Sequence, residues 1–162
     1  MAALKNVMAW IIQNYPHERE LSNARLTKMV YLSDWHHTVY ANARMTDISW
    51  YFDNHGPFVW DIKNKASEER DWFRIVDTTN MYGSRKTIIE LKGDFSDEID
   101  LAQSEKTSIS KMIERTKGLY WDDFITFVYS TFPILVSEKY SSLDLEALAE
   151  RFRLEKGIAV PA

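Results

Sequence analysis

Three of the four histidines stand close to aspartates, and their side chains are suited to proton transfer or metal binding. His36 and His37 follow Asp34 in "SDWHH", and His55 lies between Asp53 and Asp61. A histidine oriented by a carboxylate can act as a general base, and a neutral imidazole is a common metal ligand. The spacing of these residues decides which chemistry is open to them.

The adjacent pair His36 and His37 is poorly placed to hold a metal ion. Neighbouring residues on a helix point about 100° apart, whereas helical metal ligands are spaced i, i+4. We therefore predict no metal site. One histidine is expected to pack against the core and the other to face solvent.

His55 belongs to the aromatic-rich stretch "WYFDNHGPFVWDI", residues 50–62. No candidate nucleophile, paired acid or oxyanion loop accompanies it, so we predict no catalytic residue. Proline is pre-organised for the first position of a helix, so Gly56-Pro57 predicts a helix start. Asn54, His55 or Gly56 would then satisfy the free N–H groups of that helix.

The composition excludes several classes of chemistry. The 162 residues contain no cysteine, which excludes disulfides, thiolate metal sites and a cysteine nucleophile. The five glycines form neither GxGxxG nor GxxxxGK, and no cofactor is expected. A net charge of −4 makes nucleic-acid binding possible but not favoured. Aromatic residues make up 14% of the chain, and Trp and Tyr are favoured at protein interfaces.

The sequence shows no signal peptide and no apolar run long enough to span a membrane. The expected location is the cytoplasm, with no membrane partner.

Hydrophobic spacing predicts a mainly α fold of the α+β class, with about six helices and one inserted β-hairpin. A single domain is expected over 1–162, with its core at about 4–156. Ser22 or Asn23 would cap a long central helix that ends near Arg44. Pro133 is predicted to end the fifth helix, and Ser141 with Asp144 to start the last one, which stops at Gly157. The remaining helices are predicted over 4–14, about 57–70, about 104–117 and 120–132.

A hairpin is predicted over about 72–91, because two β-rich segments flank the turn sequence "NMYGSR". Its tip carries Met81, Tyr82, Arg85 and Lys86, so it could contact DNA, contact a protein or be a plain solvated turn. The order helix, helix, helix, hairpin also occurs in winged-helix domains. The third helix is charge-balanced, however, which is poor for contacting phosphates.

Two segments together resemble the SocA-like Panacea domain. "RLTKMVYLSDWHHTVYANARMTD" (25–47) is similar to its Leu-x-Lys helix, and residues 50–62 are similar to its aromatic segment ending in Gly-Pro. "FVYSTFPI" (127–134) is similar to its late hydrophobic helix. The family often has Tyr before Gly-Pro, where this chain has His55. The residues expected to be structural are Leu26, Lys28, Tyr31, Trp35, Gly56 and Pro57.

The resemblance implies a non-enzymatic antitoxin that binds and neutralises a cognate protein toxin. Members act by direct binding, and the namesake delivers its toxin to a ClpXP-type protease. No catalytic residues come with the resemblance. The expected partner contacts are Tyr51, His55, Trp60, Met81, Tyr82 and Arg85. The alternatives are a winged-helix-like DNA-binding regulator that uses the 72–91 hairpin as its wing, and a hydrolase or metal enzyme built on His36, His37 or His55.

Overall fold

A computed structural model describes residues 1–17 and 21–161. These residues form seven helices and two antiparallel hairpins, so the predicted mainly α class is confirmed. The elements in chain order are α1 (Leu4–Asn14), α2 (Asn23–Tyr40), β1 (Phe52–Asp53), β2 (Gly56–Pro57), α3 (Asp61–Glu68), β3 (Phe73–Thr79), β4 (Arg85–Leu91), α4 (Gln103–Thr116), α5 (Trp121–Tyr129), α6 (Phe132–Val136) and α7 (Leu145–Lys156).

Helix α2 forms the centre of the domain, where it contacts α1, α3, α4, α7 and β4. The Ser22 hydroxyl accepts a hydrogen bond from the Arg25 N–H at 3.1 Å, which caps the helix as predicted. The helix ends at Tyr40 and not near Arg44, because Asn42 takes a left-handed backbone with φ of 53°. None of the described helices is long and apolar enough to cross a membrane.

The predicted 72–91 hairpin is confirmed, with β3 and β4 paired from Phe73↔Leu91 to Thr79↔Arg85. At its tip the Asn80 side chain accepts hydrogen bonds from the N–H groups of Tyr82 and Ser84, both at 2.9 Å. This Asx-type turn replaces ladder bonds with side-chain bonds where the chain reverses.

The prediction that Gly56-Pro57 starts a helix is wrong. These two residues form β2, which pairs with β1, and α3 begins only at Asp61. Gly56 has φ of +99°, which no helix accommodates, and the Phe58 N–H extends the pairing to the Tyr51 carbonyl at 3.0 Å. Proline lacks an N–H and therefore fits the edge of a strand as readily as a helix start.

The predicted role of Pro133 is also wrong, because it lies in the first turn of α6 while α5 already ends at Tyr129. The final helix begins after Asp144, whose side chain accepts from the Ala147 N–H at 3.1 Å. It ends at Gly157 as predicted, where φ is +66°. Ser141 is not part of this cap, since its hydroxyl donates to the Glu138 carbonyl.

Candidate functional site

The segment after α2 is fixed by the fully buried carboxylate of Asp34. Arg44 donates to it twice, from Nε at 3.1 Å and Nη2 at 2.7 Å, and Trp50 Nε1 donates at 2.9 Å. The Thr46 hydroxyl and the Met45 N–H donate at 2.6 and 2.9 Å, and the Thr46 N–H donates at 3.4 Å. All of these donors point at one carboxylate, so Asp34 holds the start of the aromatic segment against α2.

The turn between β1 and β2 rests directly on two helices. A Cβ atom at Gly56 would lie 3.3 Å from Tyr129 Cε1, and 3.8 Å from both Lys28 Cε and Val128 Cγ1. The glycine therefore allows a close approach as well as the left-handed backbone. The three segments that resemble the Panacea family meet at this point: the Lys28 helix, Gly-Pro and the late hydrophobic helix.

A groove with a volume of about 850 Å³ opens beside this turn. Its lining comes from the β1–β2 turn and the segment that follows it, from α5 and from two residues of α2. We call it the Lys28 groove. It is lined by Ala24, Lys28, Asp53, Asn54, His55, Phe58, Trp60, Trp121, Asp122, Ile125, Thr126, Tyr129 and Ser130.

Lys28 is a buried cation in this groove. Its side chain is 2% exposed, and within the described residues its ammonium makes no hydrogen bond or ion pair. The Phe58 ring centroid lies 5.6 Å from Nζ. Burial lowers the pKa of Lys28 to about 8, an effect that the charge of Asp53 partly opposes. The groove thus presents three N–H donors in apolar surroundings.

Exposed aromatic rings border the groove. Trp60 is 61% exposed and stands edge-on to Phe58, with ring centroids 5.1 Å apart. Trp121, at the start of α5, is 43% exposed. Tyr140 is exposed nearby and donates its hydroxyl hydrogen bond to Asn54. Large rings that are half in solvent beside a concave surface are suited to anchoring a partner protein.

The residues expected to contact a partner fall into two separate places. His55 and Trp60 line the groove, and the exposed Tyr51 is adjacent through its backbone pairing with Phe58. Met81, Tyr82 and Arg85 are exposed at the tip of the β3–β4 hairpin and do not line the groove.

All of the residues expected to be structural are buried, namely Leu26, Lys28, Tyr31, Trp35, Gly56 and Pro57. Burial raises the pKa of Tyr31, and its hydroxyl bonds with that of Thr131 at 2.8 Å.

Two features of the site were missed by sequence reasoning, namely the free ammonium of Lys28 and the α5 wall. A lysine within the apolar run Leu26–Leu32 was the one available signal for the first.

His36 and His37 are bonded to neighbouring elements. His36 Nδ1 lies 2.8 Å from Ser108 Oγ, while His37 contacts the Ala43 carbonyl at 2.6 Å and Ser104 Oγ at 3.0 Å. His37 is buried, as expected for one of the two, whereas His36 is half-buried and not fully in solvent.

The environment of His36 disfavours its charged form. Burial lowers the pKa of His36 to about 4, and the nearby Lys111, His37 and Arg115 act in the same direction. Across residues 1–17 and 21–161, no cluster of three or more His, Asp or Glu side chains is arranged to hold a metal ion.

The fold and the groove define an α-dominated α+β domain with a concave surface bordered by aromatic rings. The model of the family described as "Antitoxin SocA-like, Panacea domain" matches residues 26–132. The chain belongs to this family. The matched region runs from α2 to the start of α6 and includes Lys28, Gly56 and Tyr129. No curated protein and no solved structure matches the chain.

Proposed function

We propose that this protein is a cytoplasmic, non-enzymatic antitoxin that binds a cognate protein toxin through the Lys28 groove and its aromatic border. Membership of the antitoxin family supports the role. The single structural observation that supports the choice of surface is that two exposed tryptophans, Trp60 and Trp121, line the same groove.

The groove is suited to tight binding because its walls are already in place. Asp34 fixes the start of the aromatic segment, and the Gly56 turn packs directly on Tyr129. A preorganised surface loses less conformational entropy when a partner binds, so more of the contact energy appears as affinity. Tryptophans at the centre of such contacts often dominate the binding free energy.

Binding without catalysis is favoured by the state of the histidines. His36 and His37 are occupied in bonds to the chain itself, and His55 is exposed on a turn with no carboxylate bonded to its ring in the described residues. A general base requires an oriented imidazole, which none of the three supplies to the groove.

The hairpin tip favours a protein contact over a DNA wing. Its large apolar side chains Met81 and Tyr82 are 87% and 86% exposed. The winged-helix alternative predicts that Arg85→Ala with Lys86→Ala weakens DNA binding and flattens its salt dependence. A DNA shift assay in which both changes have no effect would remove that alternative.

The direct test is co-expression with the product of the adjacent gene. The wild-type protein should restore growth that this product arrests, and Trp60→Ser should lose most of the rescue. Leu154→Ser is the matched control, because Leu154 is also an exposed apolar residue, at 78%, but lies on α7. An adjacent product that is harmless on its own, or full rescue by Trp60→Ser, would contradict the proposal.

The same assay separates the two routes of neutralisation. If the protein acts by occlusion, rescue should persist in a host that lacks ClpX. If it acts as a proteolytic adaptor, rescue should fail there while binding in vitro is unchanged.

A further inference from the structure

Lys28 differs from the other buried charged side chains in the described parts of the chain. Arg25, Asp34, Glu105 and Arg153 are all buried, and each has hydrogen-bond partners. Lys28 is buried to the same degree and has none within those segments. The Lys28 ammonium opens into the groove and has no acceptor among the described residues, so it is available to an acceptor from outside the chain.

We propose that Lys28 binds the side-chain carboxylate of an Asp or Glu that the toxin inserts into the Lys28 groove. This inference rests on the proposed antitoxin function and names the chemistry of the contact. The carboxylate would accept from the Lys28 ammonium at the base of the groove. The stem of the inserted residue and its apolar neighbours would lie against Phe58, Trp60 and Trp121.

The charges around the groove favour a carboxylate over a phosphate. Asp53 and Asp122 also line it, so a group with two negative charges would be repelled by both. A single ammonium is also a weaker phosphate site than the arginine clusters that bind phosphoproteins. A singly charged carboxylate matches one cation, and a base beside it on the toxin could pair with Asp53 or Asp122.

The shape of the groove favours an internal side chain over a chain terminus. Helix α5 contributes residues from both of its ends, Trp121 and Tyr129, so the wall extends along its full nine-residue length. At 1.5 Å per residue this is about 13 Å, enough for two turns of a helix lying alongside. A segment that passes along the groove presents side chains, in the manner of a helix bound in an apolar groove.

The test is a double-mutant cycle between the antitoxin and the product of the adjacent gene. Lys28→Met keeps the length and apolar stem of the side chain and removes the ammonium. We expect it to weaken binding by at least about 30-fold, because it leaves a buried carboxylate unpaired. Lys92→Met is the control, since Lys92 is exposed and outside the groove, and it should leave the affinity unchanged.

The partner side of the cycle uses Asp→Asn and Glu→Gln variants of the toxin. One of them should weaken binding to the wild-type antitoxin by a similar factor and have little further effect on Lys28→Met. Unchanged affinity of Lys28→Met, or a loss that couples to no acidic side chain of the toxin, would overturn the proposal. Coupling only to the toxin's C-terminal carboxylate, tested by extending that terminus, would overturn the assignment to a side chain.

A second experiment tests Lys28 as a carboxylate site without relying on the antitoxin function. If the adjacent product does not bind at all, the proposed function fails, and Lys28 is then tested with 3-phenylpropanoate and its neutral amide. NMR of the lysine ammonium groups should show that the carboxylate shifts the Lys28 signal more than the amide does, and the signal that moves should be absent from Lys28→Met. Equal responses to the acid and the amide would reject Lys28 as a carboxylate site.

Discussion

Two buried cations lie one turn apart on α2, and they differ in their hydrogen-bond acceptors. The chain supplies acceptors to Arg25 and, within the described residues, none to Lys28. Arg25 and Lys28 are each 2% exposed. The Arg25 guanidinium donates to the Tyr15 hydroxyl at 2.6 and 3.0 Å, and to the carbonyls of Thr116 and Leu119 at 3.0 and 2.9 Å. Lys28 makes no such bond within the described residues.

The difference separates a structural cation from one that is available to a partner. Arg25 ties α1 to the end of α4 and the loop before α5, and its guanidinium also lies 4.3 Å from the Phe124 ring centroid. All of its hydrogen-bond partners belong to the chain, so its donors are satisfied once the chain folds. Lys28 keeps its donors for the groove, and the folded state carries a desolvation penalty that the charge of Asp53 offsets only in part and that a ligand can offset further.

The largest effect expected from this comparison is at Arg25. Arg25→Met should lower the free energy of unfolding by about 3–5 kcal/mol, because it leaves buried acceptors without a donor. Urea denaturation followed by tryptophan fluorescence measures this. Arg70→Met, on an exposed arginine, should change stability by less than about 0.5 kcal/mol. If Arg25→Met lowered the free energy of unfolding only slightly, the interpretation of Arg25 as a structural cation would be contradicted.

Substitution of Lys28 by Met should have the opposite effect on the free energy of unfolding. The pKa of Lys28 is about 8 in the folded protein, against 10.5 for an ordinary lysine, so folding disfavours the charged form. Lys28→Met should therefore stabilise the protein at pH 7 by about 1–3 kcal/mol.

The pH dependence of that difference checks its cause. Below pH 8 the amine is charged in both states and the penalty is fully present. Between pH 8 and 10.5 the unfolded chain holds more protons, so wild-type stability rises with pH and the gap to Lys28→Met closes. Asp53, His55, Asp122 and Tyr129 also face the groove, but both proteins contain them. Paired urea titrations across this range give the comparison, and a gap that is constant with pH would contradict it.

A smaller effect is expected from Gly56→Ala. The left-handed backbone disfavours any side chain, and the added Cβ would also press on Tyr129 at 3.3 Å. Gly83→Ala is a matched control, since its φ of +79° is also left-handed but nothing lies within 4 Å. Gly56→Ala should cost about 1 kcal/mol more than Gly83→Ala in chemical denaturation. Equal costs would mean that the turn does not depend on close contact with α5.

The sequence predicted the helices and the larger hairpin well, because their periodicity and caps are local. Ser22 and Gly157 are examples of such caps. Gly56-Pro57 was assigned wrongly because the same dipeptide suits a helix start and a strand edge. The choice is made by contacts with Tyr129 and Lys28, which are distant in sequence.

Only part of the candidate site was accessible to sequence reasoning. The aromatic stretch 50–62 drew attention to His55 and Trp60, which do line the groove. A lysine in an apolar helix is visible in the sequence, but whether it has an acceptor depends on what the fold places around it. Arg25 and Lys28 show this, since both are buried and only one is satisfied by the chain.

The most direct measurement of the central claim is the pKa of the Lys28 ammonium, determined by NMR titration without and with the toxin. We predict a pKa near 8 for the protein alone and an increase to at least the ordinary value of 10.5 in the complex, because a carboxylate then stabilises the charged form. A pKa that is the same in both states would contradict the claim that the toxin supplies the acceptor for the Lys28 ammonium.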